Sequence, residues 1–255
     1  MDLFYLIIFF VLGLLFGSFL TVVGLRHPRG ENFISNRSYC DVCYHTLSFF
    51  DLIPIFSYVF LRGRCRYCHA KIDSLSTYME IFTGILFCLS YYVFGLSYEL
   101  FIALGIVCML IIISVSDIAY FIIPDDVLIF FSGYFIIIIA LQNGVVNALF
   151  HILSGMALFA VMYGILLLGN FLFKKETLGG GDVKMMFPFG VVLHPLLGLF
   201  VIFLGSLLAL PVSLLILARK KQNLVPFGPF LLISFAFIYF TRIDIDMVIN
   251  FIRLL

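Results

Sequence analysis

Residues 3–25 read LFYLIIFFVLGLLFGSFLTVVGL, 23 positions without a charge. A helix rises about 1.5 Å per residue, so this stretch reaches about 35 Å, enough to cross a hydrocarbon core about 30 Å thick. It lacks the basic start and small-residue cleavage site of a secretory signal, so it reads as a retained transmembrane helix. The rest of the chain has the same character. Of 255 residues, 64% are apolar and 11% charged, where an ordinary soluble domain carries about 25% charge. The mean hydropathy is +1.20. Such a chain has too little polar surface to face water, so most of its surface must face lipid. A soluble enzyme, a disordered tail and a nucleic-acid module are excluded.

Apolar runs recur near 78–94, 99–116, 127–141 and 146–173, separated by the turn residues Gly95, Pro124 and Asn143-Gly144. After the break Gly179-Gly180-Gly181-Asp182, the stretch 185–218 is apolar throughout, with His194-Pro195 and Pro211 inside it. A last run covers 229–240, and the tail to Leu255 reads as amphipathic. The stretch 185–218 is long for one helix and short for two. Basic residues accumulate in cytoplasmic loops, and this decides between the two. If 185–218 is a hairpin, 13 of the 15 lysines and arginines fall on one side, and only Arg242 and Arg253 fall opposite. A single span would move three cations to the wrong face. The expected fold is therefore all-α, a polytopic membrane protein of about eight transmembrane helices with both termini outside. The expected organisation is a first helix over 1–25, a cytoplasmic four-cysteine loop over 26–77 and a membrane domain over 78–255.

Within that loop, Cys40-x-x-Cys43 is followed after 21 residues by Cys65-x-x-Cys68. Two such pairs present four thiolates in a tetrahedron, the pattern of zinc ribbons. Thiols in the cytoplasm do not persist as structural disulfides, which favours metal. Four sulfur ligands leave no place for water, so a structural zinc is expected, with unligated thiols or a redox pair as the alternative. His45 and His69 read as surface residues, with a spare ligand role as the alternative. Cys88 and Cys108 lie in apolar runs and read as small core residues.

Carboxylates in or beside spans are costly and mark function. Glu80 opens the second span, Asp117 closes the third, Asp125 and Asp126 open the fourth, and Asp182 follows three glycines. The topology brings Asp117 and Asp182 to the same cytoplasmic depth from different helices. Two facing carboxylates sharing one proton can activate water against a peptide bond, one as base and one as acid. Gly179, Gly180 and Gly181 leave bare backbone on which an extended substrate could pair. The structural alternatives are a helix cap for Asp182, an ion pair of Asp117 with Lys184 or a loop arginine, and helix-start positions for Asp125 and Asp126. A transporter using Asp117 and Asp182 as proton or cation sites is the rival function. It leaves the four cysteines unexplained, and no repeated halves are evident.

The chain resembles the type IV prepilin leader peptidases, polytopic GxGD-type aspartyl proteases, along nearly its whole length. Gly17-Ser18-Phe19-Leu20 with Arg26 is similar to that family's first-span signature, and the paired cysteine motifs to its cytoplasmic zinc domain. Glu80 in Met79-Glu80-Ile81-Phe82-Thr83-Gly84, Asp117 with Ile123-Pro124-Asp125, Gly179-Gly180-Gly181-Asp182-Val183-Lys184 and Pro226-Phe227-Gly228-Pro229-Phe230 follow in family order. The resemblance implies an aspartate pair, Asp117 and Asp182, that cleaves the basic leader of a prepilin or pseudopilin after a glycine, at the cytoplasmic face of a bacterial plasma membrane. Glu80, Asp125, Gly179, Gly181 and Lys184 are candidate residues for binding the substrate or a methyl donor. The cysteine arrangement looks most like competence pseudopilin processors. Many members also methylate the new N-terminus with S-adenosylmethionine. Here Thr21 stands where asparagine is common, and His27-Pro28 where Leu-Pro is usual, so methylation stays an open alternative, as does a methyltransferase without protease activity.

Overall fold

The computed structural model describes residues 2–32, 37–40, 42–174, 179–218 and 225–243. The helices are α1 Asp2–Arg26, α2 Phe56–Phe60, α3 Leu75–Phe94, α4 Tyr98–Tyr120, α5 Asp125–Asn143, α6 Val145–Phe173, α7 Gly180–Val192, α8 Pro195–Ala218 and α9 Gly228–Phe240. Every apolar run that falls on described residues is helical, and none of these residues forms a strand beyond two isolated antiparallel bridges. Six helices, α1, α3, α4, α5, α6 and α8, are long and apolar enough to cross a membrane. The amphipathic tail, Arg253, Lys175 and the basic cluster Arg219-Lys220-Lys221 lie outside the described residues.

The stretch 185–218 breaks into two helices at Leu193-His194. Helix α7 has 13 residues, about 20 Å at 1.5 Å per residue, short of a full span. A helix that ends inside lipid must have its last carbonyls satisfied. Side chains of α6 meet that need: His151 Nδ1 donates to the Val191 carbonyl at 2.8 Å, and Ser154 Oγ to that of Leu193 at 3.2 Å. Pro195 then starts α8. Helix α9 is also 13 residues long.

The chain forms two compact units, Met1–Leu96 and Ser97–Leu255. In the first, α1 packs along α3 and the cysteine loop joins them. Hydrophobic burial does not drive helices together in lipid, so small residues that allow close backbone approach decide the contact. Gly13 and Gly17 supply such a face. A Cβ on Gly13 would sit 2.7 Å from the Gly84 Cα, and one on Gly17 2.8 Å from the Glu80 Cα. This contact joins α3 to α1 within the first unit.

In the second unit, α4 is the most enclosed of the spanning helices, packed against α5 and α9. Helix α7 lies against α5 and α6, with Gly190 over Gly155; a Cβ on Gly190 would be 2.8 Å from the Gly155 Cα. Helix α8 lies against α9, where Gly205 approaches Leu231. Phe189 of α7 stacks on Phe235 of α9 at 4.3 Å between ring centres, both fully buried.

Gly13→Leu is expected to destabilise the first unit by about 1–3 kcal/mol, because the neighbouring backbone cannot yield. Gly133→Leu in α5, where a Cβ meets open space, is expected to leave stability unchanged. Thermal unfolding of the two variants in detergent micelles checks both.

Candidate active site and metal centre

Asp117 lies in the last turn of α4. That helix stops at Phe121, whose backbone turns left-handed (φ 56°) and donates its N–H to the Asp117 carbonyl. Ser116 Oγ ties the turn down by donating to the Ile122 carbonyl at 2.5 Å. Pro124 then caps α5, which places Asp125 and Asp126 in its first turn, as their position after the proline suggests.

Asp182 lies in the first turn of α7, which begins at Gly180 after the cap residue Gly179. The cap position is held by Gly179 and not by Asp182, which is the third residue of the helix, so the capping alternative for Asp182 is not what the structure shows. Gly179 is extended (φ −66°, ψ 130°), whereas Gly180 and Gly181 are already helical. Extended backbone, on which a substrate strand could pair, is therefore found at Gly179.

Asp117 and Asp182 are both buried, 6% and 9% exposed, and close enough for the Asp117 charge to act on Asp182. One side chain links their surroundings: Ile123 lies 2.9 Å from where a Gly181 Cβ would stand and 3.5 Å from that of Gly228. Gly228, the first residue of α9, donates its backbone N–H to Asp117 Oδ2 at 2.9 Å. A Cβ on Gly228 would meet that same oxygen at 2.9 Å, so glycine is what lets the amide approach. Lys184 Nζ spans both oxygens of Asp125, at 2.8 and 2.6 Å. It pairs with Asp125, not with Asp117. The N-termini of α5, α7 and α9 thus meet around the two aspartates. Sequence reasoning marked the segment Pro226-Phe227-Gly228-Pro229-Phe230 as a family-like motif but gave the Gly228 amide no role.

Glu80 belongs to the first unit. It is buried, 6% exposed, and its Oε2 accepts the Ile55 N–H at 2.9 Å. It borders a cavity of about 640 Å³ whose wall also holds Ser18, Arg26, Tyr39, Tyr44 and Asp73.

The four cysteine sulfurs lie within 4.8 Å of one another, and Cys40 and Cys68 Sγ are 3.8 Å apart. A zinc tetrahedron with Zn–S of about 2.3 Å has sulfur edges of about 3.8 Å, so the donors fit that ion. The two halves are built alike. Tyr44 N–H bonds Cys40 O and Cys40 N–H bonds His45 O; His69 N–H bonds Cys65 O and Cys65 N–H bonds Ala70 O. The fourth residue after each leading cysteine, Tyr44 (φ 55°) and His69 (φ 56°), turns left-handed. Amides of Cys43 and Val42 aimed at its sulfur draw the Cys40 thiol down to about 7. Cys68 receives a lowering hydrogen bond from the Ala70 amide, but desolvation and the neighbouring thiols push it up to about 11. His45 stacks on Tyr67 at 3.6 Å between ring centres, and its Nδ1 donates to the Thr46 carbonyl. That engages His45 away from the sulfurs. Behind the cluster, desolvation raises the Asp51 carboxyl, but bonds from Ser48 and the Arg66 guanidinium at 2.7 Å outweigh it and hold the group below its ordinary range.

Comparison with known proteins gives the family. Residues 11–94 match the bacterial peptidase A24 N-terminal domain, and residues 104–214 match the type IV leader peptidase family. A prepilin leader peptidase/N-methyltransferase of Bacillus subtilis is 32% identical over 228 residues, which is 87% of this chain and 88% of that protein. One of Vibrio cholerae is 30% identical over 258 residues, covering 94% and 98%. A type 4 prepilin-like proteins leader peptide-processing enzyme of Escherichia coli is 28% identical over 244 residues, covering 85% and 87%. No solved structure matches. The chain belongs to the type IV leader peptidase family, and it is a multi-pass membrane protein.

Purified protein is expected to carry about one zinc per chain, as the tetrahedral four-sulfur set implies. Cys65→Ser is expected to lose the metal and lower the thermal midpoint, read by elemental analysis and unfolding in micelles.

Proposed function

We propose that this member of the leader peptidase family cleaves the basic leader of type IV prepilins or pseudopilins just after a glycine, with Asp117 and Asp182 as the catalytic pair. The observation that carries the reading is the meeting of three sequence-distant motifs at one end of the second unit. The aspartate with Ile-Pro-Asp, the Gly-x-Gly-Asp-x-Lys string and the Pro-Phe-Gly-Pro segment converge on two buried carboxylates. Close like charges keep both from ionising together, so one proton is shared. The ionised member takes a proton from water as it attacks the peptide carbonyl, while the protonated member donates its own to the developing alkoxide; the first member then passes the proton it took to the leaving amine, and the second regains one from the gem-diol hydroxyl as the C–N bond breaks. The Gly228 amide holds one oxygen of Asp117 and so orients the other.

The reacting end is read as cytoplasmic. By connectivity Lys174 and Lys184 stand at the end of the second unit where α7 and α9 begin. Arg242 stands at the other, paired with Glu99 at 2.7 Å. Cations favour the cytoplasmic face. A pilin helix beside the spans would then leave its basic leader in the cytoplasm at the level of the pair. The relatives' names also bring N-methylation of the product into the proposal. The cavity of about 640 Å³ in the first unit has the size of a small-molecule site, and its tyrosines, arginines and carboxylates suit the adenine, carboxylate and ammonium groups of S-adenosylmethionine.

Asp117→Asn and Asp182→Asn are each expected to lower cleavage of a prepilin by about 10³-fold or more without changing the unfolding midpoint. Mass spectrometry of the product reports the cleaved bond and any added methyl group together. Normal cleavage by either variant rejects the dyad. Proton or cation flux into proteoliposomes, abolished by the same substitutions, would assign the aspartates to transport instead.

The Lys184–Asp125 pair is half-exposed, so breaking it is expected to cost no more than about 1 kcal/mol of stability. It ties the start of α5 to the start of α7 beside Asp182. Lys184→Asp is therefore expected to slow cleavage, and adding Asp125→Lys to restore much of the loss, measured as kcat on one prepilin peptide.

A further inference from the structure

Residues 49–60 read FFDLIPIFSYVF and lie between the two cysteine pairs, in a part of the chain the sequence assigns to water. The segment forms a short 3-10 turn, Phe49–Leu52, and the single-turn helix α2. Phe49, Phe50, Leu52, Phe56, Val59 and Phe60 are 42–83% exposed. Single exposed apolar residues are ordinary, but six within twelve positions form a patch that water penalises. The other face of the segment is satisfied by protein. Asp51 binds Ser48 and Arg66, Pro54 is buried, and the Tyr58 ring lies against Gly63.

The depth of this patch is fixed by the Ile55 N–H on Glu80 Oε2. Glu80 is the sixth residue of α3, about 7–8 Å from its start at 1.5 Å per residue. Across from it stands Gly17, whose added Cβ would lie 2.8 Å from the Glu80 Cα. Gly17 is nine residues before Arg26, the last residue of α1, and so about 13–14 Å inside that helix. The Ile55 backbone, held at positive φ (63°) in a γ-turn closed by the Phe56 N–H on the Pro54 carbonyl, is thus drawn below the end of two membrane helices. Exposed Arg62 and Arg64 follow at once. An apolar face about 5–10 Å deep flanked by cations is the signature of an element lying in the boundary between headgroups and acyl chains.

We infer that residues 49–60 are an interfacial anchor seated in the lipid leaflet at the C-terminal end of α1, with the bilayer as its partner. The anchor holds the four-cysteine centre, on either side of it in sequence, against the membrane surface. This inference depends on the spanning helices and not on the peptidase assignment.

The chain has no tryptophan, so single substitutions report cleanly. Full-length Phe56→Trp, Phe60→Trp and, as a reference in the cysteine knuckle, Val42→Trp are placed in phosphatidylcholine–phosphatidylglycerol vesicles. Bromine is carried on the acyl chains at either a shallow or a deep position. The expected result is blue-shifted emission at 56 and 60 and a roughly two-fold or greater loss of intensity with shallow bromines, as interfacial depth requires. The reference stays water-like and open to iodide. Water-like emission at both 56 and 60 overturns the inference. So does protection that appears only when a prepilin is added, which assigns the patch to substrate, or only at high protein density, which assigns it to a second copy.

Discussion

Two buried carboxylates that feel each other's charge stay ionised only in part, by sharing a proton, and positive potential facing them lowers the cost further. No lysine or arginine pairs with Asp117 or Asp182 among the described contacts; Lys184 turns to Asp125 instead. The positive charge comes from the backbone. Helices α5, α7 and α9 all begin at this place, and a helix start carries about half a positive charge on its unpaired N–H groups. The Gly228 N–H on Asp117 is the one such contact made directly. Helix ends provide this field without adding a titrating group, and they do so in fixed directions. Alternation along the chain brings every second helix start, those of α5, α7 and α9, to this end.

Packing in this chain rests on the same economy of size. Gly13 and Gly17 set α1 on α3, Gly155 and Gly190 set α6 on α7, and Gly228 sets α9 on Asp117. In each case backbone meets backbone or carboxylate where a methyl group would intrude. Polar side chains do the remaining work: His151 and Ser154 close the end of α7, and Glu80 holds Ile55. Van der Waals approach and satisfied backbone groups are what lipid leaves available for holding helices together.

Much of this was legible in the sequence because the solvent imposes length and hydropathy on every span. The runs became helices, and the spacing of Cys40, Cys43, Cys65 and Cys68 foretold four sulfurs gathered within reach of one ion. What stayed hidden depends on distance along the chain or on direction. Gly228 is 111 residues from the aspartate it touches, and nothing in its neighbours states which atom its N–H will meet. The sequence offered Lys184 to Asp117, and its actual partner is Asp125. The length of α7 could not be read because a helix may stop in lipid only if a neighbour receives its carbonyls, and His151 and Ser154 sit some 40 residues earlier. The GxxxG spacing of Gly13 and Gly17 was present in the sequence and is the signal that ties α3 to α1.

Ile123 touches both the glycine before Asp182 and the glycine that holds Asp117. A β-branched side chain is stiff at its first torsion, so it acts as a gauge block between two parts that approach from opposite directions of the chain. The approach of the two glycines is then limited by a single hydrocarbon side chain, an apolar stop that carries no charge for salt or pH to act on.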